Sequence, residues 1–311
     1  LNPSKTGYGA RDMLRKRLVY FAVALLGVLL MANFNSVRVA GWSNGGYSAD
    51  PTHPDYGTHD WIAEHALDWL PQQEKQFLLD NKASYLYGTE LPDNNQASDG
   101  IGDTTKHHVY FFANESLQDD AAAVRAREEY ANAVHFFNVG NLSEAAKRLG
   151  AMAHYIGDMA VFGHVMGAPT AWGAESHHSD YEDYVLSRTD TYADEFNAFL
   201  AFDGNLRVIS AYEAALTLAS DTSFDTNGDL TCVWMDQHYN WNDATFRNRS
   251  GESLNLAVNI IADVLHTFYT EAVIPEFPPN ATTAILMLLI LPVIFYVKKK
   301  SLSKKIYSET A

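Results

Sequence analysis

"NLSEAAKRLGAMAHYIGDMAVFGH" (residues 141–164) is the stretch on which the reading of this chain turns. Asn141 or Ser143 stands where a helix N-cap belongs, and Glu144 falls in the first turn, where an acid favours the helix dipole. Beyond the first turn the residues are mostly Ala, Leu, Met, Ile, Val and Phe, the composition of a helix buried in a helical core. Into this apolar run are set His154, Asp158 and His164. Burying imidazole and carboxylate is costly unless something satisfies them. Positions 154 and 158 are four apart and share a helix face, so both side chains can reach one ion. If the helix runs straight to Gly163, His164 lies about 80° round from His154, placed for a second ion close by.

The same four-residue spacing recurs at His178 and Glu182 in "HSDYEDYV" (178–185). Neither pair proves much alone, because a chain with 12 histidines and 38 acids produces one or two such pairs by chance. A polar wet face on an ordinary helix is the competing reading.

Helical periodicity extends through the rest of the chain. "DWIAEHALDWL" (60–70) gathers Trp61, Ile62, Ala66, Trp69 and Leu70 on one face, and "DDAAAVRAREEYANAVHFFNVG" (119–140) reads as a second helix closing at Gly140. Residues 177–202 hold one or two more, and 210–221 and 252–273 complete an all-α set. Strand signals are scarce, and no repeat or low-complexity linker interrupts the pattern. The economical reading is a single multi-helix domain spanning residues 42–274.

Both ends carry a different signature. Arg15, Lys16 and Arg17 precede the apolar run 18–32, as in a secretory leader with Met13 as its plausible start. Cleavage after Gly41 leaves Val39 three positions before the cut and makes Trp42 the new amino terminus. Residues 275–311 hold "PEFPP" (275–279), the apolar run 281–297 and Lys298, Lys299 and Lys300. Seventeen helical residues rise about 26 Å, enough for a transmembrane helix with snorkelling ends. The lysines then lie on the cytoplasmic side and residues 42–280 outside, at the extracellular face of the membrane.

Eleven of the 22 Lys and Arg but 36 of the 38 Asp and Glu fall within residues 42–280, a formal charge of −25. Such a surface repels polyanions and speaks against nucleic acid as a partner. It suits a salt-adapted exported protein or one that binds several divalent cations. The single cysteine, Cys232, excludes an intramolecular disulfide. Asp225, Asn227 and Asp229 alternate as in a calcium loop, but no glutamate closes the loop, and a plain turn is preferred to a weak Ca2+ site.

The order of the polar residues carries more than any one of them. Trp42 is followed by His59 in "GTHDWI", Asp93 in "GTELPDN", His108 in "KHHVYF", then His154, Asp158, His164, His178 and Glu182. In this the chain resembles the zinc-dependent phospholipase C family, relatives of the S1/P1 nucleases, over about residues 42–185. "AHYIGDMAVFGH" and "HSDYEDYV" keep the ligand spacings of the family's "LHYLGD…H" and "HSKYENF"-like segments. The resemblance implies an all-α domain of phospholipase C or P1 nuclease type with three zinc ions. Asp93, His108, His154 and Asp158 hold one, His164, His178 and Glu182 a second, and Trp42 with His59 the third, to which Asp158 bridges. Trp42 would contribute its free amine and carbonyl, so export becomes a condition for activity. Asp93 is preferred to Glu90, and His108 to His107 because "HVYF" matches the family's "HFYD"-like context. Asp93 also becomes the candidate to orient or deprotonate the attacking water. The tail similarly resembles the PEF-type sorting signal of archaea, which implies archaeosortase processing.

The resulting expectation is an exported, membrane-tethered zinc phosphodiesterase acting on a phospholipid or other phosphodiester. A nuclease or 3′-nucleotidase of S1/P1 type is the alternative, and a non-catalytic, metal-stabilised surface protein a third.

Overall fold

In the computed structural model, which describes residues 55–94, 101–190, 193–226 and 228–273, the expected helices form and others join them. α1 (Thr58–Ala66) continues through a 3-10 turn at Leu67–Trp69, and α2 (Gln72–Asp80) and α3 (Lys82–Glu90) follow. A small antiparallel hairpin pairs β1 (Tyr110–Phe111) with β2 (Leu117–Asp119). Then come α4 (Ala121–Asn138), α5 (Leu142–Gly157), the short α6 (Phe162–Val165), α7 (His178–Thr189), α8 (Ala211–Phe224), α9 (Cys232–Gln237) and α10 (Ala244–Phe268). The domain is mostly helical, as the periodicity predicts. Among the described residues no helix is long and apolar enough to cross a membrane. The leader, Trp42 and the candidate span 281–297 lie outside the described residues.

α5 is the axis of the packing, with α3 and α4 against it and α1, α8 and α10 closing the remaining sides. Every residue from 149 to 166 is buried, which is why this stretch is apolar all round rather than on one stripe. Asn141 caps α5 by accepting from the backbone N–H of Glu144 at 3.3 Å. α3 reaches α5 at a glycine pair. A Cβ on Gly88 would lie 2.0 Å from the Lys147 carbonyl oxygen, and one on Gly150 would lie 1.9 Å from that of Tyr85. Only hydrogen at both positions allows this approach, and it brings the end of α3 alongside His154.

Residues 201–209 run along α10 with a bend at Gly204, where φ is 88°. Asn255, Asn259, Asp263 and Thr267 accept the backbone N–H groups of Ala201, Asp203, Arg207 and Ile209 at 2.8, 3.1, 2.8 and 2.9 Å. On either side of the bend two residues of extended chain advance about 6 Å, as four residues of helix do, so the stripe keeps step with Ala201 and Asp203 and again with Arg207 and Ile209, and the bend takes up the extra residues between them.

Candidate metal centre

The sequence predicts one helix running to Gly163, but α5 stops at Gly157. Asp158–Ala160 tightens to a 3-10 turn, and Val161 takes extended backbone (φ −93°, ψ 124°) before α6 sets off afresh. This break corrects the expected position of His164. Instead of lying well round a straight helix, its Nε2 comes to 3.7 Å from Asp158 Oδ1.

Asp158, fully buried, is the point where the segments meet. Its Oδ2 lies 2.8 Å from His107 Nδ1 and 3.3 Å from His154 Nε2, and its Oδ1 lies 3.3 Å from His59 Nε2. His59 comes from the first turn of α1, and its ring stacks on that of His154 with centroids 3.8 Å apart. His154 Nδ1 donates to the Thr89 carbonyl at 2.7 Å, so Nε2 is the nitrogen left to face the cluster. Asp93, 26% exposed, sits at the rim with Oδ1 3.6 Å from His107 Nδ1 and 3.7 Å from His154 Nε2. On the other side, His178 and Glu182 approach to 2.8 Å within the first turns of α7, and His164 Nε2 lies 3.2 Å from Glu182 Oε1. Gly163 makes room for this arrangement, since a Cβ there would meet the His178 ring at 2.3 Å.

One expected ligand lies away from the group. His108 stands apart, its side chain 23% exposed, stacked on Tyr110 and 3.4 Å from Asp119 Oδ2. His107 joins the cluster instead; its Nε2 is committed to the Asp103 carbonyl and its Nδ1 faces Asp158. The cause is the extended backbone leading into β1. His107, Val109 and Phe111 point inward, and His108, Tyr110 and Phe112 are more exposed. That alternation is readable in "HHVYFF", where the apolar Val109 and Phe111 are in phase with His107. Glu90 is buried but belongs to none of the three candidate groups found among the described residues.

In the metal-free protein burial and neighbouring charges act against one another. Burial works to raise the pKa of Asp158, but the imidazoles of His154 and His164 and the bond from His107 hold it well below the usual carboxylate value. Burial works to lower the pKa of His107, yet the Asp158 bond and the Asp158 and Asp93 charges raise it to about 9. His178, likewise opposed by burial, is raised to about 10 by Glu175 and Glu182. His59 goes the other way, lowered by burial and by His154.

Three groups emerge whose ligand atoms lie within 4.8 Å of one another: His59, His154 and Asp158; Asp93, His107 and His154; and His164, His178 and Glu182. Zn–N and Zn–O bonds of about 2.1 Å put neighbouring tetrahedral ligands about 3.4 Å apart. The imidazole–carboxylate separations within these groups, from 2.8 Å for His178 and Glu182 to 3.7 Å for His154 and Asp93, bracket that edge. Asp158 Oδ1 and His164 Nε2 are buried without a hydrogen-bond partner, the kind of cost a cation would remove. An imidazole and carboxylate set of this kind fits zinc. Trp42, the expected partner of His59, lies outside the described residues. Asp225 turns its Oδ2 inward onto the N–H of Leu230 at 2.7 Å, so this carboxylate already serves its own loop. Asn227 of the same candidate calcium loop is outside the described residues. His177 reaches Asp180 and Tyr239 rather than the cluster.

Residues 58–231 match the family model described as zinc dependent phospholipase C. No curated protein matches the chain. Among solved structures it is similar to the alpha toxin of Clostridium absonum, at 18% identity and a TM-score of 0.48, over 75% of this chain and 66% of that one. It is also similar to the alpha-toxin of Clostridium perfringens from an avian strain, at 16% identity and a TM-score of 0.47, over 74% and 66%. This chain therefore spans 66% of the length of either toxin.

Proposed function

The chain belongs to the zinc-dependent phospholipase C family, and on that premise we propose that it hydrolyses a phosphodiester bond of a phospholipid and releases the phosphorylated head group. The observation that carries the proposal is the meeting of four imidazoles on one buried carboxylate, Asp158, with two further carboxylates, Asp93 and Glu182, flanking it. In this reading Asp93, His107, His154 and Asp158 hold one zinc, His164, His178 and Glu182 a second, and His59 and Asp158 share a third with the Trp42 amine.

When bound, the zinc ions supply Lewis acidity toward the phosphoryl oxygens and lower the pKa of an attacking water. The chain's own residues do the rest. Thr89 fixes the tautomer of His154, the Asp103 carbonyl fixes that of His107, and the buried wall of α5 keeps bulk water from one side of the centre. Asp93 is the ligand carboxylate with an exposed edge, so it is the group placed to orient the attacking water and accept its proton. The acidic surface disfavours polyanions, which favours a lipid head group over a nucleic acid as substrate.

Export and tethering extend the reading: residues 1–41 act as the leader, cleavage frees Trp42, and the tail holds the domain at the outer face of the membrane. Two preparations of residues 42–280, one starting at Trp42 and one carrying an extra N-terminal residue, test the centre by metal content. Near three zinc ions in the first and near two in the second are expected. Head-group release is then measured on vesicles of ester-linked and of ether-linked phospholipid. Zero or one zinc in both preparations, or no release from either lipid by the zinc-loaded protein, refutes the proposal.

A further inference from the structure

Glu175 lies outside the three ligand groups, but its Oε1 is 3.3 Å from His178 Nδ1. The opposite ring nitrogen, Nε2, is 2.8 Å from Glu182 Oε1 and belongs to the group completed by His164. His178 is thus held at both nitrogens by carboxylates, one inside the candidate centre and one behind it. The segment carrying Glu175 is itself anchored. The N–H groups of Ser176 and His177 both donate to Asp236 Oδ1 on α9, at 2.8 and 3.0 Å. The His177 ring lies flat on Tyr239, with centroids 4.5 Å apart and planes 6° from parallel. Gly163 backs the His178 ring closely enough that a Cβ would stand 2.3 Å from its Cγ. The ring therefore has one setting, and Glu175 occupies the edge facing away from the centre.

We propose that Glu175 is a positioning residue for the zinc held by His164, His178 and Glu182. It accepts the Nδ1–H of His178, fixes the tautomer whose Nε2 lone pair faces the ion, and raises the basicity of that lone pair. The inference rests on the zinc reading above. It assigns no contact between Glu175 and substrate.

The test is chelator competition on the zinc-loaded full chain, comparing wild type with Glu175→Ala and Glu175→Gln. In Glu175→Ala one zinc ion should be given up at a chelator concentration about 10–100-fold lower, while the others hold as in wild type. Glu175→Gln keeps an oxygen to accept the Nδ1–H but loses the charge, so it should fall between the two and restore part of the affinity. A Glu175→Ala variant that retains every ion like wild type overturns the assignment. Equal weakening of all the ions overturns it too, because that reports a general loosening rather than an effect through His178. A wild-type chain that binds no zinc overturns the zinc reading itself, and this inference with it.

Discussion

Replacing Asp158 by Asn turns a carboxylate oxygen into an amide nitrogen where His107, His59, His154 and His164 converge at 2.8, 3.3, 3.3 and 3.7 Å. At an effective dielectric of about 20, a unit charge pair 2.8 Å apart attracts by about 6 kcal/mol, from which desolvation must be subtracted. Broken buried pairs cost about 3–5 kcal/mol in practice. Asn keeps one oxygen as acceptor, so the low end applies: about 3 kcal/mol in the metal-free protein, or about 6–12 °C of Tm for a domain of this size. Zinc widens the gap. Wild type gains about 4 kcal/mol from zinc at a thousandfold excess over Kd, and the variant should lose most of that gain along with at least one ion.

Scanning calorimetry with and without zinc, beside metal analysis of the same samples, reads both effects. Acid supplies a control. The folded pKa of Asp158 is depressed, so its contribution is present above about pH 4 and lost as pH falls further; wild type and variant should then converge. An Asp158→Asn protein that melts with wild type, keeps its zinc and gains as many degrees from it refutes the reasoning.

His107→Ala should abolish hydrolysis and reduce zinc content, whereas His108→Ala, which removes a partly exposed ring paired with Asp119, should change stability by about 1 kcal/mol or less and leave zinc intact; the opposite pattern would restore His108 as the ligand. Asp60 is buried between the Gly57 N–H and the Thr89 hydroxyl, and burial raises its pKa to about 8. Between about pH 4 and 8 the folded state keeps a proton that the unfolded chain has lost, so stability falls as pH rises, by up to about 1.4 kcal/mol per unit. Urea unfolding across that range should show Asp60→Asn with a flatter slope, and parallel slopes would contradict it. Gly163→Ala drives a methyl into the His178 ring and should cost about 1–3 kcal/mol, with zinc lost from the His164, His178 and Glu182 group first. Full zinc content at unchanged stability would show that the ring has room to move.

Helices with one buried face were legible because that burial writes a 3.6-residue period into the sequence. Residues 119–140 predict a helix and α4 is Ala121–Asn138; residues 210–221 predict another and α8 is Ala211–Phe224. α2, α3 and α9 went unread for separate reasons. α9 is six residues long, too short to show a period, and α2 buries only Leu78. α3 carries a glycine in its interior, a local penalty that its contact with Gly150 explains. The polar stripe on α10 was also present in the sequence, but its partner is an extended backbone that announces itself by no side-chain pattern.

By itself the sequence determined the donor chemistry: imidazoles and carboxylates set into apolar surroundings, two of the pairs at helical spacing, in an order that matches a zinc-dependent family. Helical spacing is local geometry, so His154 with Asp158 and His178 with Glu182 could be paired without any knowledge of the fold. Tertiary structure alone decided which groups share a centre. The turn at 158–161 swings His164 back onto Asp158, α1 delivers His59 to the face of His154, and the phase of an extended segment selects His107 over His108. Each of these depends on how segments far apart in the chain pack around α5, and no window of sequence contains both sides of such a contact.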